Sequence, residues 1–144
     1  MIKTEEIREL HSNTDWQKAY PILKTLRADL IEEHFLSNRE SLISNGYTLI
    51  GLFDSGELIS VAGVDLYPHI TRGIDCWIHD LATKENLRSN GYGKRLMQYI
   101  ENWAKSKGCS RLCVHTRVER ITAQNFYEQK LNYKKSAITY YKEL

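Results

Sequence analysis

The sequence predicts a single α/β (α+β) domain over residues 1–144, in which helices flank one central sheet of six to seven strands. Three observations carry this. Two runs rich in β-branched and aromatic residues, 47–53 and 58–66, are joined by Asp54-Ser55-Gly56, which reads as a tight hairpin turn. The longest amphipathic pattern runs from Tyr92 to Lys107, with Leu96, Tyr99, Ile100 and Trp103 at helical spacing. Ahead of it stands Arg88-Ser89-Asn90-Gly91-Tyr92-Gly93, a glycine-containing turn between a strand and that helix. One domain is the default at 144 residues, with roughly two-thirds of the unfolded surface buried.

In chain order, Ile7-Arg8-Glu9-Leu10 predicts a short first strand. Thr14 with Gln17 three residues on is a capping-box pattern, and predicts a helix to about Leu26, bent at Pro21. Ser37 with Glu40 repeats the pattern and predicts a second helix to about Ser44, ended by Asn45-Gly46. The hairpin follows, then a turn at Pro68 and Thr71-Arg72-Gly73, then a strand over 74–83. Successive side chains of a regular strand point to opposite faces, so His79 and Asp80 cannot both serve one pocket. Gly108 ends the long helix, and 111–116 alternates as a strand. Thr122 to about Lys130 predicts a short helix carrying Ala123, Phe126 and Tyr127. From Tyr133 on, Ala137, Ile138, Tyr140 and Tyr141 predict a final strand or hairpin. Trp16, Trp77 and Trp103 are expected in the core.

Charge is nearly balanced, 20 basic against 18 acidic residues, which gives no electrostatic case for nucleic acid or an anionic membrane. No apolar run is long enough to span a bilayer, and Met1 to Glu6 is too polar for a secretory signal. Cys76, Cys109 and Cys113 are an odd number in apolar settings, so reduced thiols in a cytoplasmic protein are expected. Cys109 and Cys113 lack a further Cys/His pair at ligand spacing, and no metal is expected.

The turn at 88–93 is suited to an anion. The first turn of a helix has backbone N–H groups without partners, and the macrodipole adds positive charge there. Gly91 and Gly93 let a phosphate approach the backbone, and Arg88 adds a forked, permanently charged donor. A P-loop ending at Lys94 would need glycine at 88 and Ser or Thr at 95, where Arg88 and Arg95 stand. A dinucleotide fingerprint needs a third glycine, close to the first strand of its unit.

The strand ending Asp80-Leu81-Ala82-Thr83, the R-x-x-G-x-G at 88–93, the strand at 111–116 and Ala123-Gln124-Asn125-Phe126-Tyr127 together resemble the GNAT superfamily of acetyl-CoA-dependent N-acetyltransferases. The motif-level likeness covers about 77–133, and 47–63 looks like the second and third strands of that fold. The resemblance implies a mixed, mostly antiparallel sheet with helices on both faces, and acetyl-CoA as co-substrate. It implies that the backbone of Leu81, Ala82 and Thr83 pairs with the pantetheine arm. It implies that Ser89, Asn90, Gly91, Tyr92, Gly93 and Lys94, beside Arg88, hold the pyrophosphate; for the Tyr92 side chain itself, packing is the alternative. Arg120 stands where the family often has an Asn that touches the cofactor. Tyr127 matches a tyrosine that commonly protonates the leaving thiolate. One extra residue separates Tyr127 from Tyr133 relative to the family's usual shorter turn before Gly-Phe.

Acetyl transfer to an amine requires the nitrogen to lose its proton. For an amine of pKa about 10.4 this costs roughly 4–5 kcal/mol near pH 7. His79 and His115 match strand positions that carry a base in some members, and imidazole suits that task. Each is otherwise a hydrogen-bonded structural histidine, and Asp80 is a third candidate or an ion-pair partner. Residues 26–35, with Asp29, Glu32 and Glu33, should border the acceptor; with Asp65, Asp75 and Asp80 they point to a cationic amine, small molecule or peptide. The alternative class is a non-catalytic CoA-binding sensor or interaction module. The terminal strands allow a homodimer.

Overall fold

The computed structural model describes residues 4–144. Glu5–Leu10 forms β1 and Asn13–Leu26 forms α1. Two short helices follow, Glu32–Ser37 (α2) and Arg39–Ser44 (α3). Thr48–Asp54 (β2), Glu57–His69 (β3) and Gly73–Thr83 (β4) form a meander. A 3₁₀ turn at Glu85–Leu87 leads to Tyr92–Ser106 (α4) and Cys109–Val114 (β5), and Ile121–Asn125 (α5) runs into a π-helical turn at Phe126–Lys130.

The sheet has the order β1-β2-β3-β4-β5, antiparallel up to β4, with β5 parallel to β4. The mixed, mostly antiparallel sheet with a helical layer on each face is therefore present. Among the described residues it has five strands, not six to seven. The segment from Tyr133 has no regular structure, and Ile138, Tyr140 and Tyr141 are 79%, 87% and 87% exposed. Strand-forming residues gain little without a neighbouring ladder and a face to bury.

Alternation along the strands divides the core. Ile50, Leu52, Ala62 and Val64 face α4 and meet Leu96, Met97 and Ile100. Leu49, Phe53 and Val61 face α1 and meet Trp16, Ala19, Ile22 and Leu23. Burying each Val, Leu, Ile, Phe or Met side chain among them stabilises the fold by roughly 1.5–3 kcal/mol. Trp16 is fully buried, donates its Nε1–H to Leu10 O at 2.9 Å and stacks on Phe35 at 4.8 Å. That contact explains α2, which the sequence reading left out of its helices. Its capping residue, Ile31, makes no side-chain cap bond, and Phe35 holds the short helix against Trp16.

The hairpin turn forms as expected. Ser55 and Gly56 both have positive φ, 51° and 84°, as a type I′ turn requires. The cap of α1 differs from expectation: Ser12, not Thr14, is the N-cap, and its Oγ accepts the Asp15 N–H at 3.1 Å. Asp15 is then forked by Arg8, which holds its carboxyl below the usual range. The helix continues through Pro21. Ser12→Ala is expected to lower stability by about 1 kcal/mol, and Thr14→Ala by no more than about 0.5 kcal/mol, as read from urea denaturation. Equal losses would contradict the Ser12 cap.

Candidate functional site

β5 leaves β4 early. Its pairing runs from Ile74↔Cys109 to Ile78↔Val114, whereas β3 accompanies β4 as far as Ser60↔Thr83. Leu81, Ala82 and Thr83 therefore have a strand on one edge only. An extended ligand can add to such an edge by backbone hydrogen bonds. Beyond Thr83 the chain turns through Arg88, Ser89 and Asn90, all exposed, into Gly91. Ser89 and Gly91 have φ of 67° and 81°; Asn90 Nδ2 donates to Leu87 O and Arg88 O at 3.0 and 3.2 Å and braces the turn.

The first bond inside α4 is from Arg95 N–H to Gly91 O, at 3.0 Å, and no side chain caps the helix. The N–H groups of Tyr92, Gly93 and Lys94 are consequently without helical partners. Tyr92 is buried, and its hydroxyl donates to Asp54 Oδ2 at 2.7 Å, which ties the start of α4 to the hairpin. Arg95 forks Glu5 and lies over the Tyr92 ring. Gly93 faces both Thr83 and Phe126: a Cβ there would stand 3.7 Å from Phe126 Cζ and 3.9 Å from Thr83 Oγ1. The open edge of β4, the start of α4 and the α5 segment thus meet at one place. This arrangement fits a ligand whose extended arm is joined to a pyrophosphate, as the pantetheine arm of CoA is.

On the α1 side of the same strand the expected alternation fails. Gly63 pairs with Asp80 and Val64 with Ile78, so His79 is a bulge residue without a counterpart. Ile78 faces α4, so His79 lies on the opposite, α1 side, and the bulge turns Asp80 to that same face. His79 Nε2 lies 3.1 Å from Asp65 Oδ2. His115, just beyond β5, stacks on Trp77 at 4.5 Å, with its ring 6.3 Å from that of His79. Trp77, expected in the core, is only half-buried and belongs to this face. Asp80 is 6% exposed; its Oδ2 accepts the Tyr47 hydroxyl at 2.8 Å and its Oδ1 accepts Arg27 Nε. Burial, then the charge of Asp80, pushes the Tyr47 phenol well above its ordinary pKa, so it remains a donor.

Tyr127 is 8% exposed and packs against Phe126 and Tyr133. Burial pushes its phenol up to about 12, opposed by the charge of Arg120. Among the described residues no group forms a hydrogen bond with its hydroxyl. The phenol is therefore a protonated donor with no partner among the described residues. Arg120 donates from Nη2 to Leu26 O at 3.1 Å, which joins the α5 segment to the end of α1. The extra residue between Tyr127 and Tyr133 is absorbed by the π-helical turn, closed by Leu131 N–H to Phe126 O, and by Asn132 at a φ of 58°.

Of the acidic residues noted in the sequence, Asp65 and Asp80 reach this face, whereas Asp75 is buried in a fork with Arg72. Sequence reasoning missed Tyr47 and Arg27. Gly63 within a strand pattern was the available signal, since an isolated strand glycine often marks a close approach; a Cβ there would lie 1.7 Å from the Tyr47 hydroxyl oxygen. Among the described residues no group of three or more His, Cys, Asp and Glu side chains is arranged to hold a metal ion, and no helix is long and apolar enough to cross a membrane.

Comparison with known proteins gives concordant results. The profile of the Acetyltransferase (GNAT) family matches residues 10–133. N-acetyltransferase YhdJ of Bacillus subtilis (strain 168), itself uncharacterized, is 30% identical over 128 residues, covering 88% of this chain and 90% of that protein. Aminoglycoside N(6')-acetyltransferase type 1 of Serratia marcescens is 28% identical over 103 residues, covering 67% of this chain and 69% of that one. Among solved structures, aminoglycoside N-acetyltransferase AAC(6')-Iy in complex with CoA superposes with a TM-score of 0.85 at 16% identity, over 99% of this chain and 97% of that chain.

Gly91 gives a test of the turn. Valine at a φ of 81° is strained, and its Cβ would meet Arg95 Nη1 at 2.9 Å. Gly91→Val is expected to lower stability by about 1–2 kcal/mol. Loss of one charge-assisted bond to phosphate should weaken CoA binding by about tenfold or more. Calorimetry on the folded variant measures this, and unchanged CoA affinity would separate the turn from the cofactor.

Proposed function

The chain belongs to the acetyltransferase (GNAT) family, and from that premise we propose that it transfers an acetyl group from acetyl-CoA to a primary amine by direct attack, without a covalent enzyme intermediate. The observation that carries the reading is the meeting of the open β4 edge, the uncapped start of α4 and Phe126, whose chain neighbour Tyr127 packs against it.

Acetyl-CoA supplies the acetyl thioester. The backbone of Leu81, Ala82 and Thr83 holds the pantetheine arm along the free strand edge. The amides of Tyr92, Gly93 and Lys94 receive the pyrophosphate, with Arg88, Ser89 and Asn90 around it. Arg120, fixed between Leu26 and the Tyr127 neighbourhood, supplies positive charge there. His79 takes the proton of the amine: Asp65 occupies its Nε2 and leaves Nδ1 as acceptor. His115, stacked between Trp77 and open solvent, is the second candidate for that role. The new C–N bond forms as the C–S bond breaks, and Tyr127 gives its proton to the departing sulfur. Burial keeps that proton on the phenol at neutral pH.

The acceptor is read as a cationic amine. The half-buried Asp65 and the buried Asp80 both lie on the α1 side of the sheet, and two of the similar proteins carry the name of aminoglycoside acetyltransferases. Release of free thiol from acetyl-CoA in the presence of a panel of amines, aminoglycosides and polyamines included, tests the reading; no release with any amine would overturn it.

Tyr127→Phe tests the acid. No group among the described residues bonds that hydroxyl, so stability should change by less than about 0.5 kcal/mol. The turnover number should fall by roughly 10²–10⁴-fold, with CoA affinity unchanged. A folded Tyr127→Phe protein with near wild-type turnover would remove Tyr127 from the mechanism. His79→Ala and His115→Ala, assayed in parallel, assign the base to the variant that loses turnover.

A further inference from the structure

Among the described residues, three arginine–carboxylate pairs are forks. Arg8 places Nη1 and Nη2 on the two oxygens of Asp15, Arg72 places Nε and Nη2 on Asp75, and Arg95 places Nε and Nη2 on Glu5. Arg27 is bound differently. It meets Asp80 through Nε on Oδ1 alone, and its Nη2 reaches only the His79 carbonyl, at 3.4 Å. The other carboxylate oxygen belongs to the Tyr47 hydroxyl. The Asp80 side chain is 7% exposed and that of Arg27 is 51% exposed. Arg27 also lies just past α1, at a φ of −123° and ψ of 89°, so its side chain can swing away without opening the helix. Asp80 has one fixed partner, Tyr47, and one that can leave.

A cavity opens beside this pair, walled by Leu23, Leu30, Phe35 and Leu42, with Asp80, Tyr47 and Arg27 as its polar side. We propose that Arg27 stands in for a ligand cation: a primary ammonium of the acceptor displaces it from Asp80, and the acceptor's apolar stem lies along the leucines and Phe35. The proposal rests on the reading of the chain as an amine acetyltransferase. Exchange of one cation for another never leaves the buried carboxylate bare, which would be strongly unfavourable. An ammonium held on a carboxylate has no lone pair and cannot attack. The group on Asp80 is therefore the non-reacting one, and the reacting amine lies beside His79, the neighbouring residue on the same face. The acceptor class that satisfies both is a diamine or larger polyamine with an apolar spacer.

The test is calorimetric titration of the full chain with 1,5-diaminopentane, without acetyl-CoA. Arg27→Met removes the competing cation and should tighten binding by about tenfold, the gain expected if Arg27 vacates Asp80 in about one molecule in ten. Arg27→Lys keeps a competitor and should bind as wild type does. Asp80→Asn keeps the shape, removes the charge and should abolish binding. Should Arg27→Met fail to fold, Arg27→Gln reads the same effect. Diamine binding that is absent from or no tighter in the variant lacking the cation, or that survives in Asp80→Asn, overturns the proposal. Because no turnover is measured, a chain that binds the diamine yet releases no thiol fails the functional reading instead.

Discussion

The point at which β5 stops pairing with β4 governs the rest of this structure. A parallel neighbour cannot be reached by a tight turn; it needs a crossover, and here the crossover is α4. A crossover helix begins at the carboxyl end of the strand it leaves. The uncapped start of α4 is therefore set beside Leu81–Thr83, the part of β4 that β5 does not cover. Free strand edge and free helix amides are two results of one topological choice. That is why ligands of α/β proteins collect where neighbouring strands part.

The second constraint is the bulge at His79. A regular strand would have sent the Asp80 carboxylate to the α4 face, among Ile78, Leu96 and Met97. One extra residue in β4 instead gives the α1 side of the sheet two consecutive polar side chains. The face so made is divided: His79, Asp65, Trp77 and His115 form an accessible polar and aromatic surface, while Asp80, Tyr47 and Arg27 lie next to an apolar cavity. Ser60, at the far end, binds Ala82 O and Thr83 Oγ1 at 3.0 and 2.9 Å and fixes the tip of β4 against β3.

What could be read in the sequence was whatever local chemistry decides. Ser55-Gly56 must turn because both residues adopt positive φ, and the α4 stripe must face a core. The glycine-containing turn at 88–93 was legible for the same reason, as was the helical segment that carries Tyr127. The bulge was not legible, because it exists only in the pairing of β4 with β3. Nor was the link from Asp80 to Tyr47 and Arg27, 33 and 53 residues away in sequence. α2 was missed because Phe35 stabilises it through Trp16 rather than through any cap. The final strand was expected from composition that the fold leaves in the open.

Gly63 and Tyr47 behave as one unit of inheritance. The phenol occupies the space that any other residue at 63 would fill with its Cβ, 1.7 Å from the hydroxyl oxygen. Drift at 63 alone would evict the ring and with it the fixed partner of Asp80, whereas a smaller residue at 47 would release 63 from being glycine. Lineages descended from this chain should therefore change the two positions in the order 47, then 63, and columns 47 and 63 of their alignment should carry a shared phylogenetic signal even though sixteen positions separate them in the sequence.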